Sequence, residues 1–275
     1  MYQEHRIHMK KLHIIYIYIA LWICSLNMFA GGEQLKSHSN IYPKGYSFWI
    51  QLPEDYAETK EHTPLIIFLH GASLCGGSLK RAVKYGPINA TKYGLTIHSI
   101  VVAPHNPGGP WSPMKINDIL EWMKQNYAFA HDRVYVIGMS LGGYGTLDFS
   151  AAYPEKVAAA MALCGGTTVK DYESLGRLPL WIIHGTADKA VNIKESKVIV
   201  ETMRKQHNDA RLRYDWLEGG SHGLPSRYFY IVQTYDWLFS HSLNDPGRPV
   251  ERSINITQDD LKHAYRNMKG EDFEE

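Results

Sequence analysis

The chain has 275 residues, of which 44% are apolar and 21% are charged, and its formal net charge is +1. This composition is typical of a globular protein that is large enough for one domain with a substantial core, and it excludes an intrinsically disordered chain. Acidic and basic residues are mixed along the sequence, without a basic run or an aromatic and arginine-rich platform, so we expect no nucleic-acid partner.

The first 30 residues differ from the rest of the chain. Three basic residues precede a largely apolar stretch from Leu12 to Phe29, and Ala30 offers a small residue for cleavage. This arrangement predicts a secretory signal peptide over residues 1–30, so we expect an exported bacterial protein, periplasmic or secreted. The apolar stretch also approaches the length that spans a bilayer, so an uncleaved anchor is the alternative. Any membrane attachment would run through this segment only.

Downstream of this segment, strand patterns alternate with helical patterns. The predicted strands are short runs, most of them continuously apolar: Ser47–Leu52, Leu65–Leu69, Ser99–Ala103, Val134–Ile137, Val157–Leu163, Leu180–Ile183 and Leu212–Leu217. The predicted helices have apolar residues three or four positions apart: Lys115–Tyr127, Gly142–Tyr153, Ile193–His207 and Tyr228–His241.

This alternation predicts an α/β domain over residues 31–243, with a mostly parallel central sheet and helices on both faces. The first strand, Ser47–Leu52, fits an edge strand of an antiparallel hairpin. No large lid insertion is visible between Val157 and Leu180. Residues 244–275 are polar and end in acidic residues, so we expect a C-terminal extension on the surface with one short helix, about Gln258 to Met268.

The segment Gly138-Met139-Ser140-Leu141-Gly142 follows a predicted strand directly and opens a predicted helix. In this context Gly-x-Ser-x-Gly is typical of a nucleophile elbow, in which the serine accepts a strained backbone and only glycine fits at the two outer positions. Ser140 is therefore the candidate nucleophile. The backbone N–H of Leu141 would lie at the helix N-terminus, where an anion is favoured, so it is a candidate oxyanion-hole donor.

A serine hydroxyl is a poor nucleophile until a base takes its proton. In folds with this elbow the partners follow in the order serine, acid, histidine. His222 lies in the glycine-rich segment Gly219–Gly223, directly after the last predicted strand, and we predict that it is the base. His184 lies at the end of its own strand, and we interpret it as a core histidine with a backbone partner.

Asp188 is the candidate acid, because it follows the strand Leu180–Ile183 after a short turn and so lies at the same edge of the sheet. Its carboxylate would hold the imidazole in the required tautomer and stabilise the imidazolium. Asp171, Glu173 and Asp215 are the competing acids, and each fits a solvated position better.

The loop that follows Leu69 is rich in glycine, which lets the backbone approach a reacting carbonyl closely. We expect the second oxyanion-hole donor here, from the N–H of Ala72 first and of Ser73 second. Ser73 and Trp111 are the candidate substrate-binding residues. Trp111, in a proline-rich loop, would either wall an acyl pocket or pin its own loop.

Metal ligation is not indicated, since no His-x-x-x-His pair or His/Asp cluster at ligand spacing is present. Cys75 and Cys164 are interpreted as two small thiols packed in the interior. A disulfide between them that braces the site is the alternative.

Four segments together resemble the α/β-hydrolase superfamily: Leu65–Ala72, Gly138–Gly145, His184–Asp188 and Ser221-His222. The chain is similar to exported bacterial feruloyl and acetylxylan esterases, to polyhydroxybutyrate-depolymerase-like esterases and to predicted peptidases related to prolyl oligopeptidase. The similarity runs from about Tyr46 to His241. It implies an eight-stranded sheet, no cofactor and an acyl-enzyme on Ser140. Relatives often have glycine where this loop has Ser73.

These observations predict a serine esterase with a Ser-His-Asp mechanism. The expected substrate is a small-molecule or polysaccharide-linked ester, such as a feruloyl or acetyl ester on plant polysaccharide. Three alternatives stay open: a peptidase similar to prolyl oligopeptidase, an acyltransferase, and a catalytically silent binding scaffold.

Overall fold

The computed structural model describes residues 35–266 and residue 268. The predicted signal peptide, residues 1–30, lies outside them and stays a prediction. Nearly all of the described residues belong to one compact unit, Ser37–Glu275. Within the described ranges, no helix combines the length and the apolar character that crossing a membrane requires.

The centre of this unit is an eight-stranded sheet. Its strands in chain order are β1 Leu35–His38, β2 Ser47–Gln51, β3 Leu65–Leu69, β4 Ile100–His105, β5 Val134–Met139, β6 Ala159–Leu163, β7 Leu180–Gly185 and β8 Leu212–Leu217. They are arranged in the order β1-β2-β4-β3-β5-β6-β7-β8. β2 is antiparallel to β4, whereas all pairs from β4 to β8 are parallel. The predicted α/β class with a mostly parallel sheet is confirmed.

The position of β2 differs from the prediction. It pairs with β4, with Ser47 opposite His105 and Gln51 opposite Val101, and on its other side with β1, its neighbour in the sequence. β2 is therefore not the edge strand, because β1 lies outside it. β1 reads Leu-Lys-Ser-His and is largely exposed, so it carries no apolar signal in the sequence.

Eight α-helices are present in the described part of the chain. They are α1 Tyr56–Thr59, α2 Pro87–Lys92, α3 Pro113–Asn126, α4 Leu141–Ala152, α5 Tyr172–Leu175, α6 Lys194–Lys205, α7 Val232–Phe239 and α8 Gln258–Lys262. Shorter 3₁₀ segments are Lys60–His62, Ala72–Leu74, Leu79–Val83 and Leu224–Tyr230. The predicted helix Tyr228–His241 is divided, because extended backbone at Ile231 separates the 3₁₀ segment from α7.

Apolar side chains pack on both faces of the sheet. In β3, Leu65 and Ile67 point into one core, and Ile66 and Phe68 point into the other. Because neither face meets water, these strands are continuous apolar runs rather than alternating ones. This explains why their positions could be read from the sequence.

The C-terminal segment, residues 244–268, is polar in sequence, yet it belongs to the second of these cores. It contributes four buried apolar side chains: Val250, Ile256, Leu261 and Ala264. The guanidinium group of Arg248 donates to four main-chain carbonyl oxygens: those of Pro154, Val157, Ala158 and Arg177. The segment is therefore integrated into the domain instead of lying on its surface, and its helix α8 is shorter than expected.

Candidate active site

Ser140 stands between β5 and α4 in a sharp turn. Its φ and ψ angles are 58° and −122°, a left-handed conformation that costs a residue other than glycine about 1–3 kcal/mol. Its N–H donates to the carbonyl oxygen of Leu163 at 2.8 Å, which ties the turn to the end of β6.

The glycines on either side of Ser140 are required by close approach of the main chain. A Cβ atom on Gly138 would overlap the carbonyl group of Gly142, and a Cβ atom on Gly142 would overlap the carbonyl group of Leu69. The turn can therefore be this tight only with glycine at both positions, as the nucleophile-elbow pattern predicts.

Asp188 and His222 form a close pair. Nδ1 of His222 lies 2.6 Å from Oδ2 of Asp188. The carboxylate is fully buried, whereas 28% of the imidazole is exposed. Burial raises the pKa of the Asp188 carboxyl, but hydrogen bonds from His222, Val191 and Ala190 outweigh it and hold the pKa below its usual value. Asp188 is therefore held as a carboxylate that can orient His222.

Ser140 and His222 open into the same cavity, which has a volume of about 660 Å³. Its lining consists of Gly71, Ala72, Ser73, Tyr85, Met139, Ser140, Leu141, Tyr144, Ala190, Val191, His222 and Ser226. Within the described residues, no direct hydrogen bond joins the Ser140 hydroxyl to the imidazole of His222. Hydrogen bonds of this kind often tighten only when substrate is bound.

The two predicted oxyanion-hole donors, Ala72 and Leu141, both line this cavity. Leu141 is the first residue of α4, and Ala72 begins the 3₁₀ segment after β3. The guanidinium group of Arg81 donates to the carbonyl oxygen of Ser73 at 2.5 Å, which fixes this loop from outside. Ser73 itself lines the cavity, the position expected for a substrate contact.

Two tyrosines in the cavity wall were not found from the sequence. The Tyr85 hydroxyl accepts the N–H of Gly71 at 2.5 Å, and burial raises the pKa of Tyr85 to about 12. The Tyr144 hydroxyl donates to Glu195 at 3.1 Å. The pKa of Tyr144 is raised to about 12, mainly by burial and to a smaller extent by the Glu195 carboxylate. Tyr144 could have been found, because it lies four residues after Ser140 on the same helix face. Tyr85 lies outside every motif.

Trp111 is not part of the cavity wall. It is only 3% exposed, its indole N–H donates to the carbonyl oxygen of His70 at 3.2 Å, and its ring packs on Tyr46. A Cβ atom on Gly145 would overlap the Trp111 side chain, so the ring also lies directly against α4. Trp111 therefore anchors its own loop behind the oxyanion-hole segment. The interpretation that Trp111 forms a wall of an acyl pocket was wrong.

Two of the three competing acids have structural partners. Asp215 accepts the indole N–H of Trp181 at 2.7 Å, and Asp171 caps α5 through the N–H of Ser174 at 3.0 Å. Glu173 lies in the first turn of that helix. None of the three is among the residues that line the cavity in the described structure.

The cysteines are free thiols, Cys164 buried and Cys75 half-buried, so they are not bridged. Among the described residues, one group could ligate a metal ion: the ligand atoms of Cys164, Asp188 and His222 lie within 4.8 Å of one another. Two of these residues already bond to each other, and burial raises the pKa of the Cys164 thiol. A metal here would have to break the Asp188–His222 pair.

The chain is similar to several known proteins. A model of the dienelactone hydrolase family matches residues 112–229, a range that contains Ser140, Asp188 and His222. A thermostable esterase of known structure is similar over 76% of this chain and 64% of its own, with a TM-score of 0.68 and 24% identity. The chain has the α/β-hydrolase fold.

The chain is also similar to other proteins, over different shares of its length. An acetyl xylan esterase from Aspergillus awamori has a TM-score of 0.52 and 15% identity over 68% of this chain and 93% of its own. A bifunctional acetylxylan esterase/xylanase of Neocallimastix patriciarum is 30% identical over 92 residues, and poly(3-hydroxyalkanoate) depolymerase C of Paucimonas lemoignei is 28% identical over 123 residues. These matches span 33% and 38% of this chain, but only 14% and 28% of the two relatives.

Proposed function

We propose that this protein is a serine esterase that cleaves carboxylic esters through an acyl-enzyme on Ser140. One observation carries the proposal: a serine held in the elbow conformation shares a cavity with an imidazole whose Nδ1 is bonded to a buried carboxylate. A protein that only binds a ligand would have no use for this combination.

In the first half of the reaction, Ser140 Oγ attacks the acyl carbon and its proton passes to His222 Nε2. The negative charge that develops on the carbonyl oxygen is stabilised by the N–H groups of Leu141 and Ala72. Asp188 stabilises the imidazolium. His222 then gives its proton to the leaving alcohol, and the acyl group stays on Ser140.

In the second half, His222 takes a proton from water as the water oxygen attacks the acyl carbon. The tetrahedral intermediate collapses, the proton returns to Ser140 Oγ, and the carboxylic acid leaves. The overall balance is one ester bond and one water consumed, with one acid and one alcohol formed.

The substrates we propose are neutral acyl esters carried by a polysaccharide or a similar polymer, with feruloyl and acetyl esters as the first candidates. Two tyrosine rings in the cavity wall suit an aromatic acyl group. In the described structure, no lysine or arginine lines the cavity, and the Glu195 carboxylate lies at Tyr144, so an anionic substrate is disfavoured. An exported protein, as residues 1–30 suggest, would meet such polymers outside the cell.

A fluorophosphonate probe tests the nucleophile. We expect the wild type to be labelled covalently, the Ser140→Ala variant not to be labelled, and the Ser78→Ala variant to behave as wild type. Ser78 is exposed and its side chain caps no helix, so it is a matched control. Labelling of Ser140→Ala at the wild-type rate would refute the proposed nucleophile, and an unlabelled wild type would favour the silent scaffold.

A substrate panel tests the reaction. It consists of p-nitrophenyl acyl esters, methyl ferulate, acetylated xylan and a prolyl peptide, each with and without a sugar as acyl acceptor. We expect hydrolysis of the esters and none of the peptide. Faster turnover of the peptide would favour the peptidase, and acyl transfer to the sugar in preference to water would favour the acyltransferase.

A further inference from the structure

A second imidazole lies behind the proposed catalytic acid. His184, in β7, is fully buried, and its Nε2 atom lies 3.2 Å from Oδ2 of Asp188 and 3.0 Å from the carbonyl oxygen of Val191. The Oδ2 atom of Asp188 thus faces two imidazoles, His222 at 2.6 Å on the cavity side and His184 on the interior side.

The other carboxylate oxygen of Asp188 is also engaged. Oδ1 accepts the N–H groups of Ala190 at 2.8 Å and of Val191 at 2.9 Å. Residues 188–191 therefore form a small closed turn. His184 touches both of its ends, Asp188 through the carboxylate and Val191 through the carbonyl oxygen, so its ring is placed to hold the whole turn.

The orientation of the His184 ring follows from its neighbours. Nε2 faces two acceptors, so it carries the hydrogen. Nδ1 lies 2.7 Å from the hydroxyl of Ser196, on α6. Burial lowers the pKa of His184, against the opposing effects of Val191 and Asp188, which favours the neutral ring. The Ser196 hydroxyl also lies 2.7 Å from the carbonyl oxygen of Gly165, so its one hydrogen is shared between that oxygen and Nδ1, and the ring has a polar neighbour at both nitrogens.

We propose that His184 is a positioning residue of the catalytic site: supported by Ser196, it holds the Asp188 carboxylate in the plane that His222 requires. The inference rests on the proposed function. Without the His184 N–H, the 188–191 turn loses its hydrogen bond at Val191 and the carboxylate loses its polar neighbour on the interior side, so the carboxylate can rotate away from His222. Among the described residues, the titratable side chains that lie against the carboxylate are His184, His222 and the Cys164 thiol.

Two variants of similar size separate a positioning role from a packing role. His184→Gln can place an amide N–H near the position of Nε2 and so keep the donor that faces Val191 and Asp188. His184→Asn can reach only the Nδ1 side and so loses that donor. Both variants remove the imidazole, so a role in packing alone would affect them alike.

We expect His184→Asn to lower kcat on a p-nitrophenyl ester by about 10- to 100-fold, the range for partners that orient a reactive group, with KM unchanged within about two-fold. Weaker support from Asp188 stabilises the His222 imidazolium less, so the acid limb of kcat/KM should move to lower pH. His184→Gln should keep kcat within a few-fold of wild type and the wild-type acid limb. Thermal unfolding of both variants is measured alongside.

Equal losses in the two variants without movement of the acid limb would overturn the inference, and so would full activity in both. Where either variant fails to fold, Ser196→Ala takes its place: it frees one end of the ring and should lower kcat several-fold, whereas wild-type kcat in this variant would contradict the proposal. An inactive wild type that no fluorophosphonate labels would instead refute the proposed function, so the two failures are distinguishable.

Discussion

The edge of the sheet that carries Ser140, Asp188 and His222 and the C-terminal segment, residues 244–268, are held in place in different ways. Each catalytic side chain follows the end of a strand within a few residues, in a turn whose position along the chain is set by local sequence. The C-terminal segment is fixed by contacts with residues that are far away in the sequence, such as those of Arg248. Substitutions at the sheet edge should therefore change turnover more than stability, and those in the segment the reverse.

Ser140→Ala tests this contrast most strongly. We expect kcat on a p-nitrophenyl ester to fall by about a million-fold, since no other group can form the acyl-enzyme. The unfolding midpoint in urea should stay near the wild-type value, because Ser140 sits at the surface of a cavity and its side chain caps no helix. A large loss of stability with kcat preserved would contradict the expectation that substitutions at the sheet edge affect turnover more than stability.

Asp188→Asn should have the next largest effect, a fall in kcat of about ten-thousand-fold, because the amide imposes the wrong imidazole tautomer.

The stability that Asp188 contributes should also depend on pH. The pKa of Asp188 in the folded protein lies below its usual value of 3.8, so its ionised form stabilises the fold above that pH, and this stabilisation is lost as pH falls through the folded pKa. The difference in unfolding free energy between wild type and Asp188→Asn should therefore narrow from pH 7 to pH 3. A constant difference would contradict this.

Leu261→Ala tests the contribution of the C-terminal segment to stability. Leu261 is fully buried in the second core, and its truncation should reduce the free energy of unfolding by about 3 kcal/mol. Val198→Ala, at an exposed helix position, is the matched control and should change it little. The kcat of the folded variant should equal that of wild type, and a change in kcat without a loss of stability would link this segment to the site.

Arg248→Met should have the smallest effect, a loss of about 2 kcal/mol, because the carbonyl oxygens that the guanidinium group bonds are left without this donor. Arg204→Met is its control, since the Arg204 side chain is 60% exposed and its weak ion pair contributes little. Equal unfolding midpoints for the two variants would show that the segment is held by apolar contacts alone.

The same difference explains what the sequence could predict. The strands and the turn at Ser140 depend on local patterns, continuous apolar runs and glycine spacing, and they were found with end errors of a few residues. Asp188 and His222 were chosen because both follow strand ends. Their places at the sheet edge follow from the order of the strands along the chain, which is why they could be chosen before the bond between them was seen.

Features that depend on distant contacts could not be found in this way. β1 is largely exposed and carries no apolar pattern. Tyr85 reaches the cavity only because its ring packs against Phe68 and Phe229. Trp111 lies near the functional edge in sequence terms, but its burial against α4 could not be anticipated. The partners of Arg248 are at least 71 residues away along the chain.

The positive φ of Ser140 has an evolutionary consequence. Glycine is the residue most at ease with that backbone, so folding alone would favour glycine at position 140. A lineage released from selection for turnover should drift towards glycine there while it retains the sheet and the flanking glycines. Serine at this position is thus a mark of selection for chemistry, and glycine would distinguish homologues that have kept the architecture and abandoned the reaction.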